Sequence, residues 1–177
     1  MKKQNILIWT IVGAVVGIFA GSALHFVFEW TGRWSPAALV AAVNESTWEH
    51  LKLAFWPAFI FAIIQYFFTG KNNKNFFFAK AINFVSAPLI IVALFYGWLA
   101  FFKDSFIWDI SIFVVAVIVA YIFDYIIQKS KIDFSKYNIL WILIIIAILL
   151  KFSLFTYFPP NLFLFQDPIS GGYGIVK

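Results

Sequence analysis

The chain has 177 residues and a formal net charge of +5, from 13 Lys and Arg against 8 Asp and Glu. Apolar residues make up 63% of it and charged residues 12%, where soluble domains hold roughly 45–50% and 25%. A soluble core cannot bury that much apolar surface, and a mean hydropathy of +0.91 with 24 Phe places the chain in a lipid bilayer. Its lysines flank apolar runs, which reads as membrane orientation rather than as a nucleic-acid-binding surface. With no Cys, disulfides, thiol catalysis and Cys-ligated zinc are excluded.

Five apolar segments are long enough to cross about 30 Å of hydrocarbon as helices. The expected fold is therefore all-α: one membrane domain over residues 1–177, built as a bundle of five transmembrane helices. The first helix spans 6–28. Because it follows Met1, Lys2 and Lys3 it has the outline of a signal peptide, with residues 20–23 as a passable cleavage site, but its apolar run is long for that role and a retained helix is expected. Gly13, Gly17 and Gly21 form a double GxxxG along it, a pattern that lets another helix approach closely, within the chain or in an oligomer. The second and third helices span 46–69 and 77–102. Pro57 and Pro88 leave carbonyls near Leu53 and Phe84 without donors, so both helices should kink. The fourth and fifth span 106–128 and 137–157. The tail, 158–177, carries Pro159, Pro160, Pro168, Gly171, Gly172 and Gly174, which forbid a sixth helix. It should be turn-rich and lie against the outer helix ends as a lid, through Leu162, Phe163, Leu164 and Phe165.

Lys2, Lys3, Lys71, Lys74, Lys80, Lys129, Lys131 and Lys136 fall on alternate connections and so share one side. The positive-inside rule puts that side in the cytoplasm, the N-terminus inside and the C-terminus outside, in a multi-pass protein of the cell membrane. The outer side holds Arg33, Lys103 and Lys177 with Glu29, Glu45, Glu49, Asp104 and Asp167. Trp30, Trp34, Trp48, Trp56, Trp98 and Trp108 lie near outer helix ends, as interfacial anchors would. Asp124 should pair with a lysine of an inner loop.

Both histidines, all three glutamates and the one arginine fall between positions 25 and 50. His25 and Glu29 are one helical turn apart at the outer end of the first helix, as are Glu45 and Glu49 at the start of the second. If the two ends meet, imidazoles and carboxylates form one outward-facing cluster. Ionisable groups at membrane depth are costly and usually functional. Structural alternatives stand beside this reading: Ser46 and Glu49 spell a capping box, Glu45 suits a helix start, and Arg33 and Lys52 can pair with the acids.

The run Asn44-Glu45-Ser46-Thr47-Trp48-Glu49-His50-Leu51-Lys52, with His25 to Trp30 before it and Asp167 to Gly174 at the far end, resembles a bacterial family of small polytopic membrane proteins known as a domain of unknown function. The resemblance spans nearly the whole chain and implies that Asp167 belongs with the cluster. A looser likeness connects it to membrane-embedded zinc hydrolases of the ceramidase type, whose HxxxH pair this chain lacks.

Three functions use such a cluster. In a metal-dependent intramembrane hydrolase His25, His50 and Glu45 would hold a divalent, zinc-like ion and Glu29, Glu49 or Asp167 would act as general base, on a lipid-like or amphiphilic substrate. An accessory or partner-binding membrane protein would use the cluster structurally. A proton- or cation-linked transporter would need polar residues through to the inner face, where Gln65, Asn83, Ser86 and Asp124 are the candidates.

Overall fold

The computed structural model describes residues 6–175. Lys2 and Lys3, on which part of the orientation reading rests, and Lys177 lie outside them. Among the described residues there are five α-helices, each with a stretch long and apolar enough to cross a membrane: α1 (Ile6–Trp30), α2 (Thr47–Phe68), α3 (Phe76–Leu99), α4 (Phe106–Lys129) and α5 (Asn138–Leu154), the last preceded by a 3-10 turn at Ser135–Tyr137. Among the described residues there is no named β-strand; the tail holds one isolated antiparallel bridge, Gln166 to Tyr173. The chain is an all-helical, multi-pass membrane protein.

α1 and α3 each pack between α2 and α4, closing a four-helix bundle, and α5 lies outside it against α3. α2 is the most enclosed helix, whereas α5 buries only Phe152 and leaves Ile139, Leu143 and Leu150 exposed to lipid. An apolar outer surface is what a bundle solvated by hydrocarbon should have.

The glycines of α1 explain how tightly it seats. They lie on its buried stripe with Thr10 and Phe28. A Cβ at Gly13 would fall 2.5 Å from the Tyr121 ring, and one at Gly21 would fall 2.6 Å from the carbonyl oxygen of Leu53. That carbonyl is the one Pro57 deprives of its helical donor; the close approach of α1 covers it. The stripe is filled by α2 and α4 of the same chain.

Helix ends differ from the sequence reading where local hydrogen bonds compete. α1 runs on to Trp30 and closes in a Schellman motif: the amide of Gly32 (φ 66°) donates to Glu29 O at 3.0 Å and that of Arg33 (φ 60°) to Phe28 O at 2.9 Å. α3 stops at Leu99 rather than 102, because the amides of Phe101 and Phe102 both turn back to Trp98 O, whose indole donates to Lys103 O at 2.8 Å. α5 stops at Leu154 rather than 157, the amides of Tyr157 and Phe158 sharing the Leu154 carbonyl.

The connections rich in lysine meet at one end of the bundle. Asn75 donates to the carbonyls of Ile127 and Ile132 at 3.3 and 2.8 Å and accepts from the Phe134 amide, which ties the α2–α3 connection to the α4–α5 connection. Lys74 pairs with Asp133 at 2.9 Å, and bonds from Ser135 and Lys74 hold that carboxyl well below the usual range. Asp124 does pair with a lysine, but with Lys80 inside α3: the buried ammonium lies 2.9 Å from Asp124 and 2.7 Å from Gln65 Oε1. At the opposite end, the rings of Trp98 and Trp108 pack tilted with centroids 4.3 Å apart, and Trp30 and Trp34 are exposed. Trp48 and Trp56, expected as anchors, are buried core residues instead.

Candidate metal centre

The run Asn44 to Lys52 folds as a hub at the end opposite the lysine-rich connections. Asn44 Oδ1 accepts from the Ser46 amide at 2.8 Å while its Nδ2 donates to Gly174 O in the tail at 2.8 Å. Ser46 is the N-cap of α2, its hydroxyl accepting from the Glu49 amide at 3.4 Å. The Thr47 hydroxyl meets the Tyr96 hydroxyl of α3 at 2.9 Å. Trp48 packs among Phe152, Phe155 and Phe165, so α5 and the tail close over the start of α2.

On this hub the structure brings His25, Glu45 and His50 together. Each offers one ligand atom, and the three atoms lie within 4.8 Å of one another. His25 Nε2 is 3.8 Å from Glu45 Oε1 and His50 Nε2 is 3.4 Å from Glu45 Oε2, with the imidazole centroids 5.2 Å apart. Ligand atoms around a tetrahedral ion with bonds of about 2.0–2.1 Å stand about 3.3 Å apart, so the two histidine–carboxylate spacings suit a metal, while the widest pair in the group, at up to 4.8 Å, must close for the three to share one ion. His50 Nδ1 sits 3.0 Å from Ser46 O, an acceptor only, and therefore carries the proton there. In the neutral ring the Nε2 lone pair then faces a carboxylate oxygen. That arrangement calls for a positive charge between them, a proton or a metal ion. The Glu45 carboxyl is held below the usual range, chiefly by its hydrogen bond with His50.

Of the three acids expected as catalytic groups, Glu29 and Glu49 sit away from the cluster and Asp167 lies at its edge with its oxygens engaged. Glu29 projects into the open and pairs with Arg33 at 3.2 Å, drawn there by the Schellman turn that swings Arg33 back along α1. Glu49 is buried in a separate network: Lys52 Nζ lies 2.7 Å from its Oε2, Thr156 donates to its Oε1 at 2.8 Å, and the Val43 amide donates to Oε2 at 3.2 Å. The capping box is thus only half formed, since the Glu49 carboxylate serves Val43 rather than the Ser46 amide. Lys52 also donates to Thr156 and to Ala38 O, at 2.7 and 2.8 Å. Asp167 lies beside Glu45, whose amide helps to hold its carboxylate, but its oxygens are spent on its own turn, accepting from the Ile169 and Ser170 amides at 3.2 Å and from the Ser170 hydroxyl. Burial alone would raise the Asp167 carboxyl; these bonds outweigh it and the net direction is down.

Two participants escaped the sequence reading. Thr156, just beyond α5, completes the Glu49–Lys52 network and carries no motif that announces it. Asp109, in the first turn of α4, lies close enough to His50 for the charges to act on each other, and its Oδ1 is buried without a hydrogen-bond partner among the described residues. An acid at the start of a helix on the cluster side was the available signal.

No curated protein and no solved structure gives a match. The family model described as "Family of unknown function (DUF6512)" matches residues 1–175, nearly the whole chain. The chain belongs to that family.

Proposed function

We propose that His25, Glu45 and His50 bind a divalent, zinc-like ion, and that the protein is a metal-dependent membrane enzyme of the hydrolase type acting on an amphiphilic, membrane-associated substrate. The observation that carries this reading is the group of two imidazoles and one carboxylate within 4.8 Å. Three protein ligands leave a position for water, which such an ion activates as a nucleophile. The side chains are 27%, 45% and 36% exposed, open enough for a headgroup to reach them. Of the acids that could serve as general base, Asp167 is the one beside Glu45, whereas Glu29 and Glu49 are committed to Arg33 and Lys52. In the proposed orientation the cluster faces outward from the cell membrane and the lysine-rich end faces the cytoplasm. Cysteines placed at Asn73 and Ser170 should then label from opposite sides of intact cells, and labelling of both from one side would remove that assignment.

The test is the metal content of protein purified without chelator, together with release of a fluorescent acyl chain from lipid analogues in vesicles. About one equivalent of metal should copurify, vanish in His25→Ala with His50→Ala, and persist in Glu29→Ala. Acyl release should follow the metal. A second reading, an accessory protein whose cluster is structural, draws on the neighbouring Glu49–Lys52–Thr156 network, which ties α2 to the segment after α5 without any ligand. Equal metal in wild type and double variant, with no acyl release, would favour it.

A further inference from the structure

Between α2, α3 and α5, away from the His–Glu cluster, the bundle leaves a groove of about 250 Å3. Phe59, Ile63 and Phe67 line it along α2, Phe77 and Phe84 along α3, and Ile145 on α5. No polar atom is exposed in its wall; Lys80 contributes only its stem, the ammonium being engaged by Asp124 and Gln65. From Phe59 to Phe67 the groove follows α2 for about 12 Å at 1.5 Å per residue. The hydrocarbon depth of one leaflet is about 15 Å, half of the usual core. A helix is about 10 Å across and could only lie over so narrow a groove, whereas a single extended hydrocarbon chain can enter it.

A charge marks the mouth. Lys71, exposed in the turn after α2, sets its Nζ 4.8 Å from the ring centroid of Phe67, a groove residue in the last turn of α2, at the lysine-rich end. Lys74 and Lys80 are neutralised by Asp133 and Asp124, but Lys71 has no acidic partner among the described residues. We propose that the groove binds one acyl chain of an anionic phospholipid from the leaflet at the lysine-rich end, with the headgroup phosphate on Lys71. Chain and headgroup then meet a matching wall and a matching charge at the depth each occupies in the bilayer. This site is independent of the metal centre.

The test uses the full chain in neutral detergent, with phosphatidylglycerol and phosphatidylcholine of equal chain length offered together and retained lipid read by native mass spectrometry. Phosphatidylglycerol should be retained with about a fivefold preference, the effect of one lysine near a membrane surface. Lys71→Glu, at an exposed position, should abolish the preference. Ile63→Trp, which fills the groove from its half-exposed wall, should reduce retention of both lipids. Equal retention of the two lipids by the wild type, a preference that survives Lys71→Glu, or retention unchanged by Ile63→Trp would each overturn the proposal, as would a dimer that excludes lipid.

Discussion

His50 holds its Nδ1 3.0 Å from the carbonyl oxygen of Ser46, one helical turn earlier, and this bond aims its Nε2 at Glu45. Such a support fixes both the tautomer and the orientation of a ligating imidazole. His25 has no equivalent: its Nδ1 is buried without a hydrogen-bond partner among the described residues. His50 should therefore be the preorganised ligand. In competition with a chelating dye, His50→Ala should weaken metal binding about 10- to 100-fold more than His25→Ala does, the range by which such supports act. Because metal and proton compete for the same lone pairs, apparent affinity should also fall as pH falls, with protons released on binding. Equal losses in the two variants would show that the Ser46 support is without effect.

The acids give a pH dependence whose sign is fixed. Glu45 and Asp167 both titrate below their ordinary values in the folded chain. A depressed carboxyl adds stability that is fully present above its unfolded pKa, about 4.3 for Glu and 3.9 for Asp, and that disappears as pH falls through the lower folded value. Thermal melts between neutral pH and about pH 3 should show the wild type losing stability on the acid side. Glu45→Gln and Asp167→Asn should each be less stable near neutrality and should flatten that limb. Asp167→Asn should in addition expose the tail to protease, since the bonds of Asp167 to Ile169 and Ser170 shape its turn. An acid limb unchanged in both variants would show that neither carboxyl contributes to it.

The Glu49–Lys52 pair is wholly buried. Removing one partner of a buried pair leaves the other charge uncompensated and costs about 3–5 kcal/mol. Glu49→Gln and Lys52→Met should each lower stability strongly. The double variant should lose much less than the sum, because the stranded charge is gone and the two residues are coupled. Metal content of the folded fraction should not change in Glu49→Gln, which separates this structural role from a role at the metal centre. A strictly additive cycle would show that the pair is not one unit.

The bilayer class and the five helices were legible because they rest on hydropathy and length, which report the solvent directly. The meeting of His25, Glu45 and His50 was legible as well, since helical spacing and the shared side of the membrane confined all three to one region. What stayed hidden depended on competition between partners. Glu29 and His25 sit one turn apart; that Arg33 could pair with the acids was legible, but not that the Schellman turn would give it to Glu29 and draw Glu29 out of the cluster. Glu49 reads as half of a capping box, but the loop before α2 returns Val43 to it and the segment after α5 brings Thr156, and neither contact follows from local spacing. Trp48 looks like an interfacial anchor until α5 and the tail fold over it. In each case the deciding partner is remote in sequence or created by a turn.

The glycine stripe of α1 offers a test of packing without any chemistry. At Gly21 a methyl group would sit 2.6 Å from the Leu53 carbonyl oxygen and 2.6 Å from the Phe113 ring, and backbone cannot yield as a flexible side chain can. Gly21→Ala should push α1 away from α2 and cost about 1–3 kcal/mol, as overpacking of a tight interface does. Gly97, late in α3, has nothing within 4 Å of the same methyl group. Gly97→Ala should be neutral or stabilise by up to about 1 kcal/mol through helix propensity alone. The comparison is informative because the substitution is chemically identical and both sites are helical. His25 lies one turn beyond Gly21 on the same helix, so displacing α1 should also carry it away from Glu45 and His50. Gly21→Ala should accordingly lose metal along with stability, whereas Gly97→Ala should keep both. Equal melting temperatures for the two variants would show that α1 does not rest against Leu53 as described.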